Sequence, residues 1–295
     1  MATCQRQFFF QYCADAHWEH PDPRLRDLFL LKRLKAIAMW KGDVVHQTLA
    51  EYFRRLRDSR PLPYGGLAGK AEGLARMQWE FSESRRYRRQ GKSSGGQAFA
   101  ALFEHEYDIE DAESIDDALK HIRTCLSNFQ SLDTAHNISR AFCAGRDHLV
   151  EPPAWGDGAT TFAIAGIKVI VKVDLAFATQ DGRYLIFDWK TGKGDEDARA
   201  QLELYALWAH LSLGYPLDSI SAHEVSLFRG SLSCYQMTEA SKFYRLEQIR
   251  RSSDLIHALM RPDGDSPAQL QDFSYARQVS TCRRCALQRV CKEFP

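Results

Sequence analysis

Two stretches carry the residues best placed to do chemistry. Leu185-Ile186-Phe187-Asp188-Trp189-Lys190-Thr191-Gly192 reads as an apolar strand that ends on a carboxylate and an ammonium. Side chains alternate along a strand, so Tyr184, Ile186, Asp188 and Lys190 share one face while Leu185, Phe187 and Trp189 share the other. Upstream, residues 167–177 alternate as a single strand, with Val169, Val171, Val173, Leu175 and Phe177 opposite Lys168, Ile170, Lys172 and Asp174. Gln180-Asp181-Gly182 reads as a hairpin turn that pairs the two strands and brings Asp174 beside Asp188. Converging carboxylates repel unless a cation lies between them, and a hard divalent ion such as Mg²⁺ or Mn²⁺ takes oxygen ligands. Lys190, next to that ion, would meet an anionic substrate or a developing negative charge. A surface ion pair capping a strand is the bland alternative.

Residues 195–214 form the most legible helix, because Ala198, Leu202, Tyr205, Ala206, Ala209 and Leu213 recur at helical spacing before the stop signals Gly214 and Pro216. Gln201 and Tyr205 share a face on it, from which both polar tips would reach a substrate strand crossing the metal site. The alternative buries Tyr205 as packing and leaves Gln201 solvated. A second metal pattern closes the chain. Cys282-Arg283-Arg284-Cys285, with Cys291 soon after, aims several thiolates at one centre. Three ligands leave one missing, and Cys4, in Cys4-Gln5-Arg6-Gln7-Phe8, and Cys13 are the candidates for it. Spacing alone leaves zinc and iron–sulfur both open. Either would clamp the two ends of the chain across a very large loop.

Asp174, then Asp188-x-Lys190-Thr191-Gly192, then Gln201-x-x-x-Tyr205 resembles the RecB-type branch of the PD-(D/E)xK nucleases. That resemblance implies an α+β fold with a restriction-endonuclease-like core, a mixed central β-sheet flanked by helices. It also implies an early histidine that completes the metal site, a place that His46 in Gly42-Asp43-Val44-Val45-His46 fits. The family often has glycine and arginine just before the first aspartate, where this chain has Val171 and Lys172; lysine keeps the charge. The CRISPR-associated RecB-like exonucleases and related helicase–nucleases are similar in their cysteines too. One cysteine before the core and three after it hold a [4Fe–4S] cluster there, which favours iron–sulfur on Cys4, Cys282, Cys285 and Cys291. The implied divalent ion is Mn²⁺ or Mg²⁺ on His46, Asp174, Asp188 and the Trp189 backbone carbonyl, with Lys190, Asp174 and Asp188 catalytic. The implied reaction is metal-dependent hydrolysis of DNA by exonuclease action on single-stranded ends, in genome defence, CRISPR-type adaptation or DNA processing. A protein partner, such as a helicase, an integrase or a guide-directed defence protein, is implied as well. Two other classes stay open: a DNA-binding subunit of a larger complex, and a structural metalloprotein whose carboxylates only form ion pairs.

A chain of 295 residues can bury a large core. Its net charge of +1 confines any nucleic-acid surface to a local patch. Eight cysteines are too sparse for a disulfide scaffold, and no signal segment or spanning apolar run is visible, so the expectation is a cytoplasmic protein without a membrane partner. In Arg85-Arg86-Tyr87-Arg88-Arg89, an aromatic among four arginines suggests a phosphate backbone with a stacking base, making Arg85, Arg86, Arg88 and Arg89 candidate substrate contacts. A solvated charged face is the alternative. The histidines near Cys13 read as a helix end, and Cys125 and Cys143 as packed.

The remaining boundaries follow from turn signals and periodicity. Residues 24–58 hold one or two helices, with His46 in the second. Residues 61–66 read as a turn or linker, 60–145 as a helical insertion, and 152–158 as the entry into a catalytic sheet over 160–240. Residues 219–228 and 231–237 form a hairpin, Glu239–Met260 a helix, and 262–267 its break. The expectation is a single nuclease domain over 1–295, with 1–20 and 270–295 forming a cluster-clamped terminal lobe.

Overall fold

A computed structural model describes residues 4–60, 62, 66–131, 133–151, 160–194, 198–261 and 267–293. Most of the turn at 61–66, the sheet entry at 152–158, the start of the 195–214 helix and most of the break at 262–267 lie outside these residues. In chain order the helices α1 (Gln5–Tyr12), α2 (Pro23–Leu31), α3 (Ile37–Arg57) and α4 (Gly66–Glu83) come first. One-turn helices α5 (Lys92–Gly95) and α6 (Phe103–Glu106) precede α7 (Ile115–Ser131) and α8 (Asp133–Ala144). Then come β1 (Arg146–Val150), β2 (Thr160–Ile164), β3 (Ile167–Val171), β4 (Leu175–Ala178), β5 (Tyr184–Lys190), α9 (Arg199–Leu213), β6 (Ile220–Ser226) and β7 (Ser231–Tyr235). The last helices are α10 (Glu239–Met260), α11 (Val279–Arg283) and α12 (Gln288–Glu293).

The strands make a five-stranded sheet in the order β1-β4-β5-β6-β7 and a separate ribbon of β2 and β3. β5 and β6 run parallel while the other neighbours are antiparallel, so the sheet is mixed and the fold is α+β with a restriction-endonuclease-like core. A parallel pair needs a long crossover, and α9 supplies it. Gly214, at φ +80°, ends α9 in the left-handed conformation that glycine adopts without strain.

The alternation along β5 sorts its side chains between two apolar layers rather than between core and water. Tyr184 and Ile186 pack with Leu202, Tyr205, Ala206 and Ala209 of α9. On the other face Phe187 and Trp189 join Phe177 of β4, Phe53 of α3 and Phe142 of α8, in ring pairs 5.3 to 6.1 Å apart. The helix α7 buries Ala118, Leu119, Ile122, Cys125, Leu126 and Phe129 at helical spacing, and Phe129 meets Trp189 at 5.9 Å. Cys125 is packed as expected, but Cys143 is exposed.

The run 167–177 is not one strand. β3 pairs with β2 and β4 with β5, so Lys172 to Asp174 form the corner between two sheets. Hydrogen bonds that no regular ladder makes hold the corner: the Trp189 N–H donates to Asp174 Oδ2 at 2.7 Å, and the Tyr205 hydroxyl donates to the Lys172 carbonyl.

The chain gathers into two compact units, one of residues 1–37, 78–112 and 253–295, the other of residues 38–77 and 113–252. The second contains both sheets and α7 to α9; the first has its own core of Phe10, Leu28, Leu31, Leu287 and Val290. No described helix is long and apolar enough to cross a membrane.

His223 on β6 stacks on Phe187 at 4.9 Å, and its Nδ1 is buried without a hydrogen bond. Burial first, and the Arg183 charge second, hold its pKa down at about 4. The unfolded chain, titrating near ~6.5, takes up the proton first, so His223 costs stability as pH falls from about 6.5 to 4, by at most about 3 kcal/mol. The His223→Phe variant keeps the stack and removes the titration. Urea unfolding at about pH 7 and about pH 4.5 should show a smaller acid loss in this variant than in wild type; an equal loss would mean that His223 is not the group responsible.

Candidate active site

The end of the β4–β5 pair collects the acidic residues. Asp174 stands at the corner before β4, and Asp188 near the end of β5; they are 4 % and 2 % exposed. Glu151, 5 % exposed, follows β1 and donates its backbone N–H to the Asp174 carbonyl at 2.8 Å. His46, from α3, puts Nδ1 3.1 Å from Asp174 Oδ1 and 3.4 Å from Glu151 Oε2. Ligand atoms of His46, Glu151 and Asp174 all lie within 4.8 Å of one another. The approach of α3 depends on Gly42, one turn before His46, where an added Cβ would stand 2.8 Å from Thr191 Oγ1.

Asp188 Oδ2 lies 2.7 Å from Lys190 Nζ, yet it makes no well-aligned hydrogen bond, and Glu151 Oε2 makes none either. Beside Asp188 in the parallel register stands Glu224, whose buried Oε2 also lacks a donor. Lys190 Nζ donates to Gln201 Oε1 at 2.7 Å, and Gln201 Nε2 donates to the Tyr205 hydroxyl at 2.5 Å. Tyr205 is 3 % exposed, so its hydroxyl does not reach outward to a substrate strand. The Gln201–Tyr205 pair positions Lys190 instead, anchored on the Lys172 carbonyl.

The charges respond to this crowding. Burial, then Asp174, push the Asp188 carboxyl up to about 6, and Lys190 limits the rise. Burial alone would raise Glu151 as well, but His46 and Lys172 outweigh it and bring it down. For His46 burial works against the charged form, and Asp174 and Glu151 more than reverse it, so the imidazole is held protonated well above its ordinary pKa.

Sequence reasoning placed His46, Asp174, Asp188 and Lys190 at one centre, and the structure brings them together there. It missed Glu151 and Glu224. Glu151 had a legible signal: it precedes Pro152, which forces an extended backbone and so puts a carboxylate at a strand end. Glu224 had none, because its place follows from the β5–β6 register.

In the arginine run, the structure excludes the stacking role expected of Tyr87 and pairs three of the four arginines with acids. Tyr87 is 1 % exposed and donates to Glu106 Oε2 at 2.6 Å, so its ring cannot stack on a base. Arg88 pairs with Glu106 and Asp27, Arg85 with Asp108, and Arg86 with Glu80, while Arg89 is exposed. Arg289 of α12 joins the same acids, 2.8 Å from Asp27 and 3.0 Å from Glu106. This network ties α12 into the first unit.

Cys4, Cys282, Cys285 and Cys291 line one cavity of about 340 Å³, walled also by Phe10 and Leu287. Cys13 is elsewhere, its Sγ 3.2 Å from Met260 Sδ. Ligand atoms of Asp15, His17 and His20 also come within 4.8 Å of one another. His20 Nδ1 accepts the Asp22 N–H at 3.0 Å, however, which leaves the proton of the neutral ring on Nε2 and no lone pair for a metal.

Comparison with protein families matches the chain to the PD-(D/E)XK nuclease superfamily over residues 1–292. No curated protein matches it.

A divalent cation entering between His46, Glu151 and Asp174 must displace the imidazole proton. Mn²⁺ affinity should therefore rise with pH across neutrality, by up to about tenfold per unit, with a proton released that calorimetry in buffers of different ionisation enthalpy would count. Affinity that is flat with pH would contradict a protonated His46. For the arginines, Arg88→Ala should lower stability by about 1–3 kcal/mol, discounted for partial exposure, without a specific loss of DNA affinity. A variant of wild-type stability with weakened DNA binding would restore the contact role.

Proposed function

This chain belongs to the PD-(D/E)XK nuclease superfamily, and we propose that it is a metal-dependent deoxyribonuclease acting from single-stranded DNA ends. One observation carries the reading: His46, Glu151, Asp174 and Asp188 converge beside Lys190, and two of their buried carboxylate oxygens have no hydrogen-bond donor. Each has a cation nearby, Lys190 at 2.7 Å and His46 at 3.4 Å, but lacks an aligned hydrogen bond, and a divalent ion would complete their coordination. His46, Glu151, Asp174, Asp188 and the Trp189 carbonyl would hold it; oxygen ligands suit Mg²⁺, and the imidazole leans toward Mn²⁺.

When bound, the ion supplies an acidified water and polarises the scissile phosphate. The protein's own part is positional. Trp189, packed between the rings of Phe53 and Phe187, fixes Asp174 through its N–H. Gln201 and Tyr205 fix the Lys190 ammonium, which orients the water or meets charge on the phosphoryl oxygens. Lys172, paired with Glu151 but 61 % exposed, adds positive charge where an anionic substrate would approach.

The reading extends to a [4Fe–4S] cluster on Cys4, Cys282, Cys285 and Cys291. Supporting it, the cavity these sulfurs line, about 340 Å³, is far larger than the roughly 30 Å³ a single water occupies in the liquid, so a group of several atoms suits it better than one ion. Tetrahedral zinc at Zn–S of about 2.3 Å would draw its sulfurs to about 3.8 Å of each other. Action on single-stranded ends, and a role in defence, adaptation or processing beside a helicase, integrase or guide-directed partner, rest on the motif resemblance.

Anaerobically purified protein with Mn²⁺ should degrade end-labelled single-stranded DNA, and Asp188→Asn or Glu151→Gln should lower the rate at least about 100-fold. Protein that binds DNA in Mn²⁺ without cutting it would overturn the nuclease reading in favour of a DNA-binding subunit.

A further inference from the structure

The loop that follows β5 carries a cation that the metal centre does not use. Past Ser226 the β5–β6 pairing continues by one bond, from the Leu227 N–H to the Lys190 carbonyl at 2.7 Å, so the β6–β7 turn stands beside residues 191–193. Phe228 sits in that turn. Asn128 of α7 donates through Nδ2 to the Leu227 and Phe228 carbonyls, each at 2.9 Å, and the His121 ring, also on α7, stacks on Phe228 at 5.0 Å with 14° between the planes. Arg229 donates to the Lys193 carbonyl at 3.0 Å, which ties the loop to the turn. Over the Phe228 ring lies the Lys193 ammonium, its Nζ 5.5 Å from the centroid.

Lys193 is exposed, and among the described residues it is paired with no carboxylate. Lys41, whose charge also acts on His121, differs in being 8 % exposed and held by Glu113 at 2.7 Å. Burial first, and the Lys41 charge second, keep the His121 pKa below its ordinary value, so the ring under Phe228 is neutral. An aromatic face holds a cation without neutralising it, which leaves the Lys193 charge available to an anion. An added Cβ at Gly192 or Gly194 would meet nothing within 4 Å, so the loop leaves room for a passing strand.

We propose that Lys193, seated on Phe228, is a positioning residue that holds a phosphate of the substrate strand next to the one being cut. This rests on the nuclease reading above. Three residues span at most about 11 Å of chain, so a strand whose scissile phosphate meets Lys190 carries its neighbouring phosphates past Lys193. A lysine stem ordinarily loses rotamer freedom on binding, and here the ring and the tied loop have already limited that freedom.

The test measures binding of single-stranded DNA by fluorescence anisotropy in Mn²⁺, on the Asp188→Asn background so that the strand stays intact. One phosphate at a time is replaced by an uncharged methylphosphonate. Lys193→Gln should weaken binding of the native strand by about threefold or more and reduce the steepness of log affinity against log salt by about 0.7, the value for one phosphate on a single strand. One methylphosphonate position should cost the parent chain affinity but cost Lys193→Gln nothing further, and it should flank the bond that wild-type protein cuts. Phe228→Leu, which keeps the charge and removes the ring beneath it, should lose affinity at the same position, though less. An unchanged salt dependence in Lys193→Gln, losses that add at every position, or coupling far from the cut bond would overturn the proposal. Coupling at one position in a wild-type chain that binds but does not cut would support the phosphate contact and overturn the nuclease reading instead.

Discussion

Three carboxylates buried at one end of a sheet set the terms for the rest of this structure. Asp174, Asp188 and Glu151 are each 5 % exposed or less. In a poorly hydrated site their mutual repulsion and lost solvation would outweigh ordinary packing gains. Cations from three places offset them. His46 arrives on α3, Lys172 from the corner between the sheets, and Lys190 from the end of β5. Each arrival has a structural cause: the missing side chain at Gly42, the strand break at Lys172 to Asp174, and the Gln201–Tyr205 pair on α9. The compensation is incomplete, because Glu151 Oε2 and Asp188 Oδ2 still lack hydrogen-bond donors. A site that offsets most of its charge and leaves two buried carboxylate oxygens without an aligned hydrogen bond fits the divalent-ion centre proposed above.

Similar electrostatics organise the other unit on a smaller scale. Glu106, 5 % exposed, is surrounded by Tyr87, Arg88 and Arg289, and Asp27 shares the same two arginines. Removing one member would leave a buried charge without its partner, so the network holds α12, and Cys291 on it, in one arrangement. Leu287 and Val290, packed against Phe10, Leu28 and Leu31, add an apolar anchor to the same helix. The cysteine cavity therefore sits on a frame fixed by both apolar packing and ion pairs.

Much of this was legible in the sequence, because the signals were periodic or local. The alternation along 184–190, the turn at Gln180-Asp181-Gly182 and the helical spacing of 198–213 each depend on neighbours in the chain, and each describes the structure well. The placement of Asp174 beside Asp188 followed from them. The strand break before Asp174 was not legible, because its cause is a set of hydrogen bonds from Trp189 and Tyr205, residues distant in sequence. The stacking role read into Tyr87 of the arginine run was not legible either, for a similar reason. Composition shows that Arg85-Arg86-Tyr87-Arg88-Arg89 is basic, but only tertiary contacts reveal that Glu106 and Asp27 neutralise part of it and that Tyr87 is buried. The inward-facing Gln201 and Tyr205 have the expected face on α9 but a different target, since helical spacing fixes direction and not the partner met there.

The central claim is that His46, Glu151, Asp174 and Asp188 form one divalent-cation centre. Crystals soaked in Mn²⁺ and measured near the manganese absorption edge would test it directly. The account predicts an anomalous peak bounded by His46, Glu151 and Asp174, with Asp188 in reach, that is lost in Asp174→Asn. A peak elsewhere, or none at this place under conditions where the protein cleaves DNA, would contradict it.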